Sequence, residues 1–276
     1  DNQPIVLVPA NAPQQRQTVS GENQRGQRPV LEPNGERFAW AQWQPGSRTL
    51  TIQIQTFTQP LSTNVVTLYD NDPIIDRHNY PNWGDNRLVF SAQALGAPAR
   101  DLWMLNIPPE AGLNPELSGS QLARLTSDAA NETWSAFTPD HTALVYVETR
   151  NEVTDLMRLN LANLERTPLT QNANELIESA PDVSVDNEVV FAARAAEDET
   201  SDIYIIPLDG SAAATQVIDL GPQDIQPRFS PDGRYIVFSS DVAGNWDVFI
   251  FDRETEAFYA MANDPNSIDI ANDWRE

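Results

Sequence analysis

Phe229-Ser230-Pro231-Asp232-Gly233-Arg234-Tyr235-Ile236-Val237-Phe238 writes a strand end, a reverse turn and a new apolar strand in ten residues. Pro presets the first turn dihedral, Asp accepts local backbone hydrogen bonds, and Gly takes the left-handed conformation that closes the turn. Weaker copies stand at Trp43-Gln44-Pro45-Gly46-Ser47, Trp83-Gly84-Asp85-Asn86, Phe137-Thr138-Pro139-Asp140-His141 and Val183-Ser184-Val185-Asp186-Asn187. With Trp274 as the last anchor, positions 43, 83, 137, 183, 229 and 274 lie 40, 54, 46, 46 and 45 residues apart. That is the period of stacked four-stranded units.

A second landmark keeps the same step. Asp101-Leu102-Trp103, Asp155-Leu156-Met157, Asp202-Ile203-Tyr204 and Asp247-Val248-Phe249 each open an apolar run 18 or 19 residues after an anchor. The first unit has only Asn64-Val65-Val66-Thr67-Leu68-Tyr69 in this role. No helical period intervenes, so the fold class is all-β, a β-propeller of four-stranded blades. Ile268-Asp269-Ile270 repeats the lead-in Asp224-Ile225-Gln226, so the chain ends just after starting another blade. An open blade edge is a liability. Six blades are therefore expected, the sixth split between the termini, with outer strands from residues 4–8 and from Arg28-Pro29-Val30-Leu31; five blades with an appended arm is the alternative. On this reading residues 1–35 are an N-terminal strand and extended arm, and residues 36–276 are the propeller. Residues 107–131 hold the longest insertion, a helical turn or a loop.

The charge is −23, from 17 arginines and 40 acids with no lysine and no cysteine. Such a field repels phosphate backbones, which excludes nucleic acid as a partner. No apolar run reaches the ~20 residues that span a bilayer. Disulfides and thiolate metal sites are excluded too.

Pro227-Arg228-Phe229-Ser230-Pro231-Asp232-Gly233, followed by Ile236-Val237-Phe238-Ser239-Ser240, Gly244 and Asp247-Val248-Phe249, closely resembles the repeat of the TolB-type propeller family. The resemblance covers roughly residues 36–276 in degenerate form and is strongest in this last full repeat. It implies a six-bladed, periplasmic or otherwise exported protein-binding platform without catalysis. Similar repeats also build the propellers of prolyl-oligopeptidase-like enzymes and some polysaccharide lyases. The 35 residues before the repeats are too few for the separate N-terminal α/β domain of TolB.

Five residues before the anchors stand Phe38, His78, Glu132, Glu178, Asp224 and Asp269. Acids at one repeat position would gather at one channel mouth. There they suit a hard cation such as calcium or a basic side chain from a partner. The competing reading is that each acid caps a turn within its own repeat. Three residues before the anchors stand Trp40, Tyr80 and Trp134, a ligand platform or blade-to-blade packing. Asp70-Asn71-Asp72 with Asp76 is a weak metal candidate. The Asp101, Asp155, Asp202 and Asp247 series follows the strand period and reads as ladder or turn capping. Nucleophile elbows and phosphate loops are lacking, and two histidines, His78 and His141, cannot build a multi-histidine centre.

The expected function is a non-catalytic, extracytoplasmic binding module that recognises a protein or peptide. Its ligand-facing residues are Glu132, Glu178, Asp224, Asp269, His78, Trp134, Tyr80 and Trp40. No cofactor is expected beyond calcium in the channel. Two alternatives stand beside it: a surface-layer or filament subunit that self-assembles through residues 1–35, and a calcium-dependent hydrolase, lyase or enzyme accessory domain.

Overall fold

A computed structural model describes residues 6–8, 17–18, 26–33, 37–43, 50–56, 63–67, 80–94, 96–107, 122–171, 176–195, 197–262, 268–271 and 273–274. All secondary structure among them is β or turn. The chain divides into two units, Asp1–Ser127 and Asp128–Glu276, described in turn.

In the first unit β1 (Val6–Leu7) pairs with β2 (Gln17–Thr18) as a two-stranded sheet. Two four-stranded antiparallel sheets follow. One runs in the order β3 (Gly26–Leu31), β4 (Arg37–Trp43), β5 (Leu50–Thr56), β6 (Thr63–Thr67). The other is built from β7 (Asn82–Gly84), β8 (Arg87–Gln93), β9 (Arg100–Asn106) and β10 (Leu122–Arg124). Val30 and Ala39 from the first sheet pack with Trp83, Leu88, Phe90, Trp103, Leu105 and Ile107.

The second unit holds three sheets, each in simple chain order. They are β11 (Asn131–Phe137), β12 (Ala143–Arg150), β13 (Val153–Asn160) and β14 (Arg166–Pro168); β15 (Leu176–Val183), β16 (Glu188–Ala195), β17 (Asp202–Pro207) and β18 (Thr215–Ile218); and β19 (Asp224–Phe229), β20 (Tyr235–Ser240), β21 (Asp247–Asp252) and β22 (Ala257–Ala262). The first strands β11, β15 and β19 lie beside one another. Apolar faces meet between sheets: Val145, Val147 and Leu156 pack with Val189, Phe191 and Ile206, and Val190, Ile203 and Ile218 with Phe229, Ile236 and Phe238. Each such buried side chain contributes about 1.5–3 kcal/mol.

In the second unit each first strand carries one extra residue in the left-handed region. Trp134, Ala180 and Gln226 have φ of 52°, 51° and 54°, and each lies where the register with the second strand slips. These are β-bulges at one repeat position, occupied by residues that rarely adopt positive φ. The turn after the anchor repeats as well: His141, Asn187 and Gly233 have φ of 53°, 61° and 72°.

The first repeat departs from the expected alignment. Its register slip falls between Gln27 and Val30, so the anchor is Leu31, and Leu31-Glu32-Pro33-Asn34-Gly35 is the copy of the turn motif. Trp43 instead ends the second strand β4. Residues 28–31 are thus in the first strand of a complete sheet rather than outer strands of a closing blade, and β3 pairs with β4, Leu31 opposite Phe38. Asn64–Thr67 belongs to the fourth strand β6, while β5 is the third. Val6–Leu7 pairs with Gln17–Thr18, inside the stretch expected to be extended linker. Residues 122–124 form strand β10, and residues 108–121 of that insertion lie outside the described residues.

At the other end, the Asp269 N–H donates to the Trp246 carbonyl (2.9 Å), as the Asp224 N–H donates to Ser201 (2.7 Å) 45 residues earlier. Ala271 packs on Val237 and Ile250, and Trp274 stacks on Tyr235. Residues 268–271 thus dock in the manner of a next first strand, without ladder pairing among the described residues.

Candidate functional site

Glu132, Glu178 and Asp224 occupy one position of three neighbouring first strands, and the structure buries all three at 0, 2 and 0% exposure. Their partners differ. Thr170 accepts the Leu156 N–H at 2.8 Å and donates its hydroxyl to Glu178 Oε2 at 3.0 Å. The Glu178 N–H donates to Thr154 Oγ1. Asp224 Oδ2 accepts the N–H groups of Leu220 (2.7 Å) and Gly221 (3.2 Å), which fastens the turn after β18. Asp269 is half-buried. Glu178 and Asp224 therefore serve the repeat.

Glu132 belongs to a different arrangement. It faces Glu148 across the β11–β12 ladder, and Asp128 stands just before β11. Oxygens of Asp128, Glu132 and Glu148 come within 4.8 Å of one another. Nη1 of Arg166, from β14, lies 2.8 Å from Asp128 Oδ2, 3.2 Å from Glu132 Oε1 and 3.2 Å from Glu148 Oε2. Arg150 reaches Asp128 and Glu148 at 3.3 Å from the solvent side. One guanidinium nitrogen with two hydrogens thus serves three carboxylates. Burial opposes it, but the Ala130 N–H, Arg166 and Arg150 hold the Asp128 carboxyl below its ordinary range. Tyr146, fully buried on β12, feels this charge, and burial pushes its hydroxyl well above the ordinary phenol range. Three converging carboxylates are the donor set of a hard cation. Here a guanidinium supplies the positive charge.

A second acidic group lacks that compensation. Ile203 pairs with Ile218, which sets Asp202 and Asp219 at adjoining strand ends near Asp224. Burial first, then Asp219, Asp224 and Asp198, push the Asp202 carboxyl up, and burial does the same to Asp224. A raised folded value means that proton uptake stabilises the native state, a contribution complete below the unfolded value and lost as pH rises through the folded one. Asp202→Asn should therefore raise stability at pH 7 by about 0.5–1 kcal/mol, the scale of an opposed like-charge pair. The gain should vanish near pH 3. Chemical denaturation at both pH values measures it, and a loss at pH 7 would refute the repulsion.

Among the aromatic candidates, Trp134 is half-buried against the apolar cluster of Val145, Val189 and Phe191. Tyr80 is half-buried ahead of β7. Trp40 lies in the second strand β4, so it is not equivalent to Trp134. Phe38, paired with Leu31, is likewise off the acid position. His78 and the Asp70–Asp76 group lie outside the described residues. His141 sits in its turn with its ring edge-on to Phe137. Sequence reasoning missed Asp128, Glu148 and Arg166. The signal available was an arginine in a short fourth strand, since Arg124 on β10 likewise reaches back to buried Asp101 at 2.6 Å.

Repeated four-stranded antiparallel sheets, in which a Pro-Asp-Gly type turn links the first strand to the second, define a β-propeller. No protein-family profile matches the chain. A TolB homolog of Chlorobium luteolum is 28% identical over 137 residues, 50% of this chain and 30% of that protein. TolB from Acinetobacter baumannii superposes with a TM-score of 0.70 at 15% identity, covering 91% of this chain and 57% of the other. An oligogalacturonate lyase from Vibrio parahaemolyticus superposes with a TM-score of 0.55 at 16% identity over 93% of this chain and 74% of the other. The chain has the β-propeller fold and is similar to TolB proteins in part of its sequence and in its superposition. It spans about a third of the curated relative it matches and just over half of the A. baumannii chain. No helix among the described residues is long and apolar enough to cross a membrane.

Proposed function

We propose that this chain is a non-catalytic, extracytoplasmic binding propeller that recognises a protein or peptide through basic side chains. The carrying observation is the acid trio: Asp128, Glu132 and Glu148 converge on a guanidinium nitrogen, and two members of the set, Asp128 and Arg150, are 41% and 50% exposed. A chain of charge −23 draws basic partners to such a site. Likeness to TolB supports the binding role and the location. The lyase shows that this fold also carries enzymes, so the reading rests on the cluster rather than on the fold.

The test is titration with a synthetic arginine-rich decapeptide at several salt concentrations. Asp128→Asn with Glu148→Gln should weaken binding about tenfold, near 1.4 kcal/mol, and flatten the salt dependence. Asp198→Asn with Asp209→Asn makes the same charge change on exposed residues away from the trio and should have little effect. Equal losses in both pairs, or no loss in either, would remove the trio from the account.

A further inference from the structure

One face of the β11–β14 sheet carries more negative charge than its arginines offset. Glu132 pairs with Glu148 across β11 and β12, and Glu148 with Asp155 across β12 and β13, so three acids stand in a row on that face. Like charges opposed in this way destabilise a sheet. Asp128 joins Glu132 and Glu148 from outside the ladder, and Arg166 and half-exposed Arg150 are the cations that reach this trio. Tyr146 adds a neutral oxygen. It lies two residues before Glu148 on β12, so both side chains leave the strand on the same side. Tyr146 is fully buried, and its hydroxyl has no hydrogen-bond partner. The charges of Arg166, Glu148, Glu132 and Asp128 all act on that hydroxyl. A buried hydroxyl left unpaired beside carboxylates is costly unless something polar sits between them.

We propose that Asp128, Glu132 and Glu148 form a calcium site within this one sheet, with the Tyr146 hydroxyl as a neutral ligand and Arg166 as the alternative occupant. The trio's oxygens lie within 4.8 Å of one another. A calcium shell is ~4.6–5.2 Å across, twice the Ca–O distance, and tolerates irregular oxygen donors where magnesium demands an octahedron. Arg166 fits the space less well, because it approaches the trio through Nη1, whose two hydrogens are shared among three carboxylates. It projects from a three-residue outer strand and is 23% exposed, so its side chain has a way out to solvent. Calcium in its place leaves the trio and Arg150 neutral, whereas the guanidinium leaves one negative charge over. Of the acids expected to ring a channel mouth, Glu132 alone takes part. The site does not rest on peptide recognition.

Titration calorimetry with CaCl2 on metal-stripped protein at constant ionic strength tests the site. The parent should bind one ion at about 10⁻⁴–10⁻³ M, the range of extracellular calcium modules. Arg166→Met should bind about tenfold tighter, since no side chain has to be expelled first. Tyr146→Phe should bind several-fold more weakly, yet melt no lower than the parent without calcium, because it removes an unpaired hydroxyl. Asp128→Asn should abolish the heat, and Asp209→Asn, the same charge change at an exposed residue away from the trio, should keep it. Should Arg166→Met fail to fold, Tyr146→Phe and Asp128→Asn decide. No heat from the parent up to about 10 mM CaCl2, ten times the weakest of that range, would overturn the proposal. So would heat that survives Asp128→Asn, parent-like affinity in Tyr146→Phe, or weaker binding by folded Arg166→Met. No peptide enters this titration: a silent calorimeter leaves peptide recognition standing, and a failed peptide titration leaves the calcium site standing.

Discussion

Gly221→Ala is expected to cost about 2–4 kcal/mol of folding stability, the sum of overpacking a tight site and loosening a buried hydrogen-bonded carboxylate. A Cβ there would meet Ser240 Oγ at 2.8 Å and Val242 Cβ and N at 2.9 Å, and the last is backbone that cannot rotate aside. Retreat of the turn would pull the Leu220 and Gly221 N–H groups from Asp224 Oδ2, inside a site where Asp224 is fully buried. Gly210→Ala is the control. Gly210 has φ +67° with nothing within 4 Å of an added Cβ, so it should lose only the ~1 kcal/mol of left-handed strain. Urea midpoints of the two variants separate the causes; equal shifts would show that crowding at Gly221 is relieved at no cost.

Arg166→Met should cost about 3–5 kcal/mol, because it removes the central cation from carboxylates of which Glu132 has no exposure. Methionine keeps much of the apolar stem, so the loss reports charge. The pH dependence carries a distinct sign. In the parent, Asp128 has a depressed folded value, so its contribution is present above the unfolded value and lost as pH falls. Without the guanidinium the three acids take up protons more readily when folded. The deficit of the variant should therefore shrink toward acid pH, and adding Glu132→Gln should recover part of it at pH 7. A deficit constant from pH 7 to pH 4 would point to packing instead.

The blade plan was legible because turn chemistry is local. Pro231, Asp232 and Gly233 each do a separate geometric job, and a reader needs no distant residue to see it. The same logic failed at the first repeat. Leu31-Glu32-Pro33-Asn34-Gly35 replaces the aromatic and the serine, while Trp43 and Pro45 imitate the motif twelve residues later. Only ladder register separates them. The recurrent acids at 132, 178 and 224 were legible as a series, but their fates were not. Those depend on a threonine eight residues before Glu178, on backbone N–H groups for Asp224, and on an arginine 34 residues after Glu132. The bulges carry no glycine, so left-handed Trp134 and Gln226 left no compositional trace.

Those extra residues have a consequence for heredity. Glu132 and Phe137 are five positions apart, an odd number that would place them on opposite sides of an unbroken strand, yet they pair with Glu148 and Leu144, which share a side. The same parity holds for Glu178 with Val183 and for Asp224 with Phe229. Loss of one codon at position 134, 180 or 226 would leave every anchor seated and swing the acid upstream to the far side of its sheet. Point substitution is a gentle event in such a repeat, and a one-codon deletion in a first strand is a reversal of polarity.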